Sequence, residues 1–206
     1  MAFTNYSALK TSIANYLGRT DLTTQIPDFI TLAETRLQRE LRTRPMLKSA
    51  TATMTGGDNT VGLPTDFLEM RDLYIQGNPR QPVSYMSPSA FTRNARAEDG
   101  GKCIDYTIIG SEMAFAPIPD AAYVLEMLYY AKPTALSDSN ASNAFLANYP
   151  DALLYGALAQ AEPFLMNDAR ITTWAGLYDS AIQLIVTSDD SSEYNGVPLK
   201  MTLTNR

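Results

Sequence analysis

The chain has 206 residues, of which 45% are hydrophobic and 18% are charged, and its formal net charge is −6. This is enough apolar material for a folded core, so the composition argues against general disorder. The chain has no histidine, which excludes Ser-His-Asp and Cys-His nucleophile systems and every histidine-ligated metal site.

The N-terminal zone is predicted to form two helices. The opening "MAFTNYSALK" lacks the basic and apolar regions of a signal peptide. Apolar residues recur at helical spacing in "YSALKTSIANYLGR", where Gly18 suits the C-terminal stop. In "TQIPDFITLAETRLQRELRTRP", Pro27 fits an early helical position and Pro45 ends the predicted helix. Its apolar residues form one stripe, spaced four, three, four and four residues apart: Ile26, Ile30, Ala33, Leu37 and Leu41.

This second helix concentrates basic charge in an acidic chain. Five of the 16 lysines and arginines lie between residues 34 and 48, namely Arg36, Arg39, Arg42, Arg44 and Lys48. On a helical wheel of about 100° per residue, the first three lie opposite the apolar stripe. Glu40 can pair with Arg36 and Arg44 at four-residue spacing. Three interpretations fit: an internally paired solvated face, a protein interface, and a DNA-binding surface. DNA binding fits least well, because it needs an uncompensated basic surface.

The zone from residue 46 to 133 is predicted to be β-rich. Two alternating runs flank Gly110 and Ser111 in "CIDYTIIGSEMAFAPIP", a pattern typical of a β-hairpin. "FLEMRDLYIQG" and "RQPVSYMSP" predict two strands joined around Gly77, and "PSAFTRNARAEDGG" predicts a short helix and a loop. "AYVLEMLYYAKP" predicts a last strand rich in β-branched and aromatic residues.

The third zone is predicted to be helical again. Pro150 opens one helix and Pro163 kinks or ends it. In the next helix, with Asn167 as a possible cap, one face is apolar: Ile171, Trp174, Tyr178, Ile182 and Ile185. The helix–strand–helix order predicts an α+β fold. Residues 1–45 and 134–187 form an antiparallel helical bundle, and residues 46–133 form a β-rich insertion.

Residues 188–206 are predicted to form an extended C-terminal tail. Its end, "EYNGVPLKMTLTNR", is too short to own a core and has the alternation of a strand. A frayed terminus is the usual fate of such a segment. The functional alternative is β-strand addition to, or docking on, a neighbouring subunit.

The sequence predicts no catalytic, cofactor-binding or metal site. Cys103, the only cysteine, rules out an intrachain disulfide framework and is expected to be a buried structural thiol. The acidic groups at 66–72 and 189–193 do not have calcium-loop spacing. The paired glycines match no phosphate-binding loop. No apolar stretch has the length of a membrane span.

Several segments, in the same order, resemble the head-to-tail adaptor proteins of short-tailed bacteriophages, also called connector, neck or tail tubular proteins. The most specific are "IPDFITLAETRLQREL" and "PDALLYGALAQA", with "LPTDFLEMRDLYI", "YTIIGSEMAFAPIP" and "YVLEMLYYAKPTALS" between them. The resemblance covers residues 6–185. It implies a helical bundle with a β-rich domain, and a structural virion protein without catalytic residues or cofactors.

The resemblance also implies partners. Subunits would form a homo-oligomeric ring, commonly a dodecamer, that docks on the portal protein after DNA packaging. The ring would extend the DNA channel and provide a platform for tail nozzle and fibre proteins. C-terminal segments of such proteins reach toward the portal or a neighbouring subunit.

The residues themselves agree with a ring made in the host cytoplasm and located in the virion. An acidic lumen repels phosphate, so genomic DNA would pass without sequence-specific binding. No membrane contact is expected. We expect the subunit or portal interface on the arginine helix and the tail: Arg36, Arg39, Arg42, Arg44, Tyr194, Val197, Leu199, Met201 and Leu203.

Two other functions stay open from the sequence. A tail-associated cell-wall hydrolase would need a positioned carboxylate pair, and the sequence does not single one out. A DNA-binding protein would use the basic helix at 36–44.

Overall fold

The structure, a computed structural model, describes residues 5–93, 100–165 and 168–194. Both helices and strands are present, which confirms the predicted α+β class. The chain divides into two compact units. We call Met1–Pro45 with Pro133–Arg206 the helical unit, and Met46–Lys132 the β unit.

Six helices and one 3-10 turn are described, and five of the helices belong to the helical unit. In chain order they are α1 (Tyr6–Leu17), α2 (Ile26–Glu40), the turn Arg44–Met46, α3 (Pro88–Thr92, in the β unit), α4 (Ala144–Asn148), α5 (Pro150–Phe164) and α6 (Asp168–Tyr194). Asn5 caps α1 by accepting a hydrogen bond from the Ala8 N–H at 2.8 Å. Gly18 ends α1 with a φ of +64°, as its position in the sequence predicts.

Helix α5 forms the centre of the helical unit and contacts α1, α2 and α6. The predicted apolar stripe of α2 is confirmed, because Ile26, Ile30, Ala33, Leu37 and Leu41 are all buried. The closest approach is at Gly156 of α5. A Cβ there would lie 3.1 Å from the Tyr178 ring of α6 and 3.2 Å from the Ala33 Cβ of α2.

Helix α2 ends earlier than the sequence predicts. We expected it to reach Arg44, but its last residue is Glu40, and Leu41 is extended at φ −105° and ψ 139°. A helix continued to Pro45 would press the proline ring against the Leu41 carbonyl. The chain instead continues in an extended form that buries Leu41 and Thr43.

Helix α6 is longer than predicted, which corrects the start of the extended tail. Residues 188–194, predicted to be extended, are helical. The serines of this stretch remain in the helix because Ser191 and Ser192 donate hydrogen bonds to the Ser188 carbonyl at 2.9 and 2.7 Å. The remaining tail, residues 195–206, lies outside the described residues, as does the predicted cap Asn167.

The β unit contains two four-stranded sheets. The strands are β1 (Leu47–Met54), β2 (Thr60–Gly62), β3 (Phe67–Ile75), β4 (Gln81–Pro82), β5 (Ser84–Tyr85), β6 (Asp105–Ile109), β7 (Glu112–Ala116) and β8 (Tyr123–Ala131). The first sheet has the order β1-β8-β3-β4 and the second has the order β2-β7-β6-β5. The predicted hairpin is confirmed as β6–β7, and Gly110 in its turn has a φ of +64°.

The predicted strand "RQPVSYMSP" is wrong in detail. It divides at Val83 into β4, which pairs with β3, and β5, which runs parallel to β6 in the other sheet. Pro82 cannot donate to a ladder, which confines this segment to a sheet edge. The short helix predicted after it is confirmed as α3. Apolar side chains of both sheets form one core: Met54, Leu73, Ile75, Met113, Phe115 and Leu125 are among its buried members.

Two glycines on neighbouring helices should respond oppositely to alanine. Gly156→Ala places a methyl group against Tyr178 and Ala33, both buried, and should destabilise the protein by about 1–3 kcal/mol. Gly176→Ala in α6 meets no atom within 4 Å and should stabilise by about 0.5–1 kcal/mol. Urea unfolding of both variants measures the difference. Equal effects would contradict the tight packing at Gly156.

Candidate partner-binding surface

Arg36 of α2 is engaged within its own unit. Its Nε donates to Glu40 Oε1 at 2.8 Å and its Nη2 donates to Asp179 Oδ1 of α6 at 3.2 Å. Its guanidinium carbon lies 3.9 Å from the centre of the Tyr178 ring. The Tyr178 hydroxyl donates to the other Glu40 oxygen at 2.7 Å. We call Arg36, Glu40, Tyr178 and Asp179 the α2–α6 cluster.

Burial makes this cluster more than a surface ion pair. Tyr178 has no exposed surface, whereas the Arg36 side chain is 33% exposed. Burial, and then the hydrogen bond to Glu40, raise the pKa of Tyr178 well above its usual range. The hydroxyl therefore stays protonated and donates to the carboxylate, which in turn fixes the guanidinium.

Arg42 and Arg44 also have partners in the helical unit. Arg42 donates from Nη1 to the carbonyls of Gln38 and Leu41 at 2.8 and 2.7 Å, so it closes the C-terminal end of α2. The Arg44 N–H donates to Asp189 Oδ1 at 3.1 Å, and its Nε lies 3.6 Å from the same oxygen. The side chain of Arg44 remains 54% exposed.

Arg39 is different. It is exposed, and it forms no hydrogen bond or ion pair with any residue that the structure describes. Leu32 lies seven residues earlier on the same face of α2 and is 51% exposed. Arg39 and Leu32 together form an amphipathic patch, of the composition that protein interfaces favour.

Lys48, the fifth basic residue of the sequence cluster, forms its contacts within the β unit. Its Nζ donates to Asp66 Oδ2 at 2.6 Å, and the Tyr129 hydroxyl donates to Asp66 Oδ1 at 2.9 Å. The hydrogen bond from Lys48 is the main cause that lowers the pKa of Asp66. Burial, and then the bond to Asp66, raise the pKa of Tyr129 to about 12.

Sequence analysis missed the buried carboxylates. Glu34 is 2% exposed and accepts from the Leu136 N–H at 3.2 Å and from the Asn143 side-chain amide. Asn143 in turn caps α4 through the Leu146 N–H at 3.0 Å. One signal was available, since Glu34 lies four residues after Ile30 and three before Leu37, on the apolar side of α2.

Glu162 of α5 is the second buried carboxylate. It is 1% exposed, and its Oε1 accepts from the Trp174 indole N–H at 3.0 Å. The Trp174 ring stacks with Tyr155 of α5 and meets Tyr16 of α1 edge-on, with ring centres 6.2 and 5.9 Å apart. Trp174, which is partly buried and lies on the apolar face predicted for α6, thus joins α6 to α1 and α5.

The tail residues of the predicted interface lie largely beyond the described chain. Tyr194 is the last residue of α6. Val197, Leu199, Met201 and Leu203 lie outside the described residues.

The described residues offer little catalytic chemistry. The Cys103 thiol is fully buried and donates to the Pro117 carbonyl at 3.1 Å, and burial is the main cause that raises its pKa to about 11. Among the residues that the structure describes, no group of three or more Cys, Asp and Glu side chains is placed to hold a metal ion. Within the same residues, no helix is long and apolar enough to cross a membrane.

Each unit has a surface groove. One of about 360 Å³ in the helical unit is lined mainly by hydroxyl and amide side chains, and its Lys10 pairs with Asp138 at 2.7 Å. One of about 500 Å³ in the β unit is lined by Tyr85, Tyr106 and Glu69, among others. Neither groove brings two carboxylates together among its described lining residues, whereas glycoside hydrolysis commonly uses such a pair.

Comparison with known proteins decides the family. The family described as "SU10 adaptor protein" matches residues 4–201, nearly the whole chain. The chain belongs to the SU10 adaptor protein family. This confirms the resemblance to phage adaptor proteins on which the sequence interpretation was based. The protein is therefore a structural phage adaptor, and its family places it among virion components. Comparison with curated proteins finds no match.

The α2–α6 cluster predicts unequal roles for two arginines of this adaptor. Arg36→Ala removes the contacts to Glu40, Asp179 and the Tyr178 ring, and should destabilise the protein by about 1–2 kcal/mol. Arg39→Ala should change stability by less than about 0.5 kcal/mol. Urea unfolding at low and high salt measures both. Equal losses would contradict an internal role for Arg36.

Proposed function

We propose that the protein is a head-to-tail adaptor whose subunits dock on the portal as a homo-oligomeric ring. The ring extends the DNA channel and gives tail nozzle and fibre proteins a platform. The observation that carries this proposal is the family match, which includes both the helical unit and the β unit. In this proposal the helices from both chain ends form an antiparallel bundle, the β unit is an insertion, and the end of the tail is extended.

The basic residues that remain exposed support a protein contact. Arg36 and Arg42 maintain the local structure of α2, whereas Arg39 and the half-exposed Arg44 are accessible to a partner. Arginine is enriched at interface hot spots because its planar guanidinium pairs with carboxylates in a bidentate geometry. We therefore assign the portal or subunit contact to Arg39, with Leu32 beside it, and to Arg44 and the tail.

The net charge of the chain favours the passage of DNA over the binding of DNA. Each subunit has a net charge of −6, and a ring multiplies that charge around its lumen. Two of the four arginines of the basic stretch, Arg36 and Arg44, pair with carboxylates within the chain, which reduces the uncompensated charge that phosphate binding needs. Genomic DNA would slide through such a channel without sequence-specific contacts.

Portal binding tests this function. The wild-type chain, mixed with the purified portal protein of the same phage, should form a complex that native mass spectrometry or negative-stain imaging detects. Arg39→Glu should weaken binding at least about tenfold, since an interface arginine contributes about 1.4 kcal/mol or more. Arg19→Glu is the matched control, because Arg19 is also an exposed arginine and pairs only with nearby Asp21 among the described residues.

The outcomes separate the function from the surface. If the wild-type chain never joins a portal, the proposed function is wrong. If it joins and Arg39→Glu binds as tightly as Arg19→Glu, the adaptor function stands and the assignment to Arg39 is wrong.

A further inference from the structure

Strand β1 leaves one of its edges open. It pairs with β8 over its full length, from Leu47 opposite Tyr130 to Met54 opposite Tyr123, without a bulge. No strand that the structure describes pairs with its other edge. Alternate residues of this eight-residue strand therefore present a row of unpaired backbone groups, which is a template for another strand.

This edge lacks the usual protection against pairing. Natural edge strands are commonly blocked by proline, bulges or charged side chains. Strand β1 contains no proline, and its one charged residue, Lys48, turns its ammonium group to Asp66 within the sheet. The remaining side chains of the strand are small or uncharged.

The two faces of β1 are chemically distinct. Ala50 and Ala52 are partly buried and pack against the core of the β unit. Ser49, Thr51 and Thr53 alternate with them and are exposed. The side chains in the middle of the core-facing side of β1 are thus short, so an added strand with larger apolar side chains would extend the core there.

The C-terminal segment has the matching pattern. In "VPLKMTLT", apolar and polar residues alternate as in a strand with two different faces. Val197, Leu199, Met201 and Leu203 would lie on one face, and Lys200, Thr202 and Thr204 on the other. The segment has no acidic residue, and its proline lies near its start, where an edge strand tolerates it. Laid along β1, it would place Leu199 and Met201 beside the alanines and its threonines beside Ser49, Thr51 and Thr53, a favourable cross-strand pairing.

We propose that residues 197–204 of one subunit add as a strand to the open edge of β1 in a neighbouring subunit. This inference rests on the proposed ring function, because it supplies a link between adjacent copies. Residues 195 and 196 link the added strand to Tyr194 and span about 10 Å, so the proposal requires that the end of α6 in one subunit lie within about that distance of β1 in its neighbour. Each subunit offers one tail and one edge, so the contact is heterologous and can continue around a ring.

Disulfide trapping between two populations of full-length chain tests the proposal. One population carries Thr51→Cys and the other carries Thr202→Cys; the native Cys103 is buried and does not compete. Mixed under mild oxidation, they should give a disulfide-linked heterodimer at least about tenfold faster than a mixture in which the first population carries Ser180→Cys. Ser180 is the matched control, since it is an exposed hydroxyl residue on α6 and belongs to no sheet edge. Thermal melts of each variant establish that it is folded.

Two further substitutions test which face of the added strand lies against the core. Met201→Asp in the Thr202→Cys chain would bring a carboxylate to the core margin and should abolish the faster cross-linking. Thr204→Asp, on the exposed face, should leave it within about twofold. If both substitutions have the same effect, or if trapping at Thr51 is no faster than at Ser180, the strand addition is wrong.

Further measurements distinguish which subunit supplies the added strand, and whether a ring forms. A single chain with both Thr51→Cys and Thr202→Cys that closes on itself at high dilution would show that the tail binds its own subunit, which overturns the proposal. Rings detected by native mass spectrometry without the cross-link would contradict strand addition and leave the adaptor function intact. The cross-link without a portal-binding ring would support strand addition and contradict the adaptor function.

Discussion

The helical unit depends on the buried ring of Tyr178. On one side the ring lies against Gly156, where even a methyl group would be crowded. The guanidinium of Arg36 lies over the same ring, while the Tyr178 hydroxyl donates to Glu40. One side chain thus fixes the spacing of α2, α5 and α6. Tyr178 also determines which charged residues of α2 are available to a partner, because it contacts Arg36 and Glu40 but not Arg39.

These contacts show that part of the basic stretch serves the internal structure of the chain. Its arginines do seek carboxylates, as an interface interpretation requires, but two of those carboxylates, Asp179 and Asp189, belong to α6 of the same chain. From residue 171 to its end, α6 has acidic residues and no basic ones. The charge clusters of the two helices therefore neutralise each other. Within the basic stretch, Arg39 is the arginine that has no partner among the described residues, and the exposed Leu32 lies beside it.

Periodicity predicted the parts of the fold that depend on one element at a time. The α2 stripe and the β6–β7 hairpin follow from spacing alone, and two of the five residues of the apolar face predicted for α6, Tyr178 and Ile185, are buried. The end of α2 and the length of α6 were missed although Pro45 and the serine bonds to the Ser188 carbonyl are local. The contact that joins the two segments, Arg44 with Asp189, links residues 145 positions apart, which spacing cannot predict. Glu34 was missed for the same reason: its partners Leu136 and Asn143 lie about a hundred residues away. The sequence could identify Arg39 only as one of several candidate arginines, because it does not show which of them pair with residues of α6.

Arg36 is held inside the helical unit, whereas Arg39 is exposed and forms no hydrogen bond or ion pair with the described residues. Guanidinium NMR of arginine-labelled protein, with each signal assigned by single Arg→Lys substitutions, tests this difference most directly. Arg36 should show hindered rotation about Nε–Cζ and an upfield ring-current shift, since its guanidinium lies 3.9 Å from the Tyr178 ring centre. Arg39 should show a rotationally averaged, unshifted signal. An averaged, unshifted Arg36 signal that matches Arg39 would contradict the account.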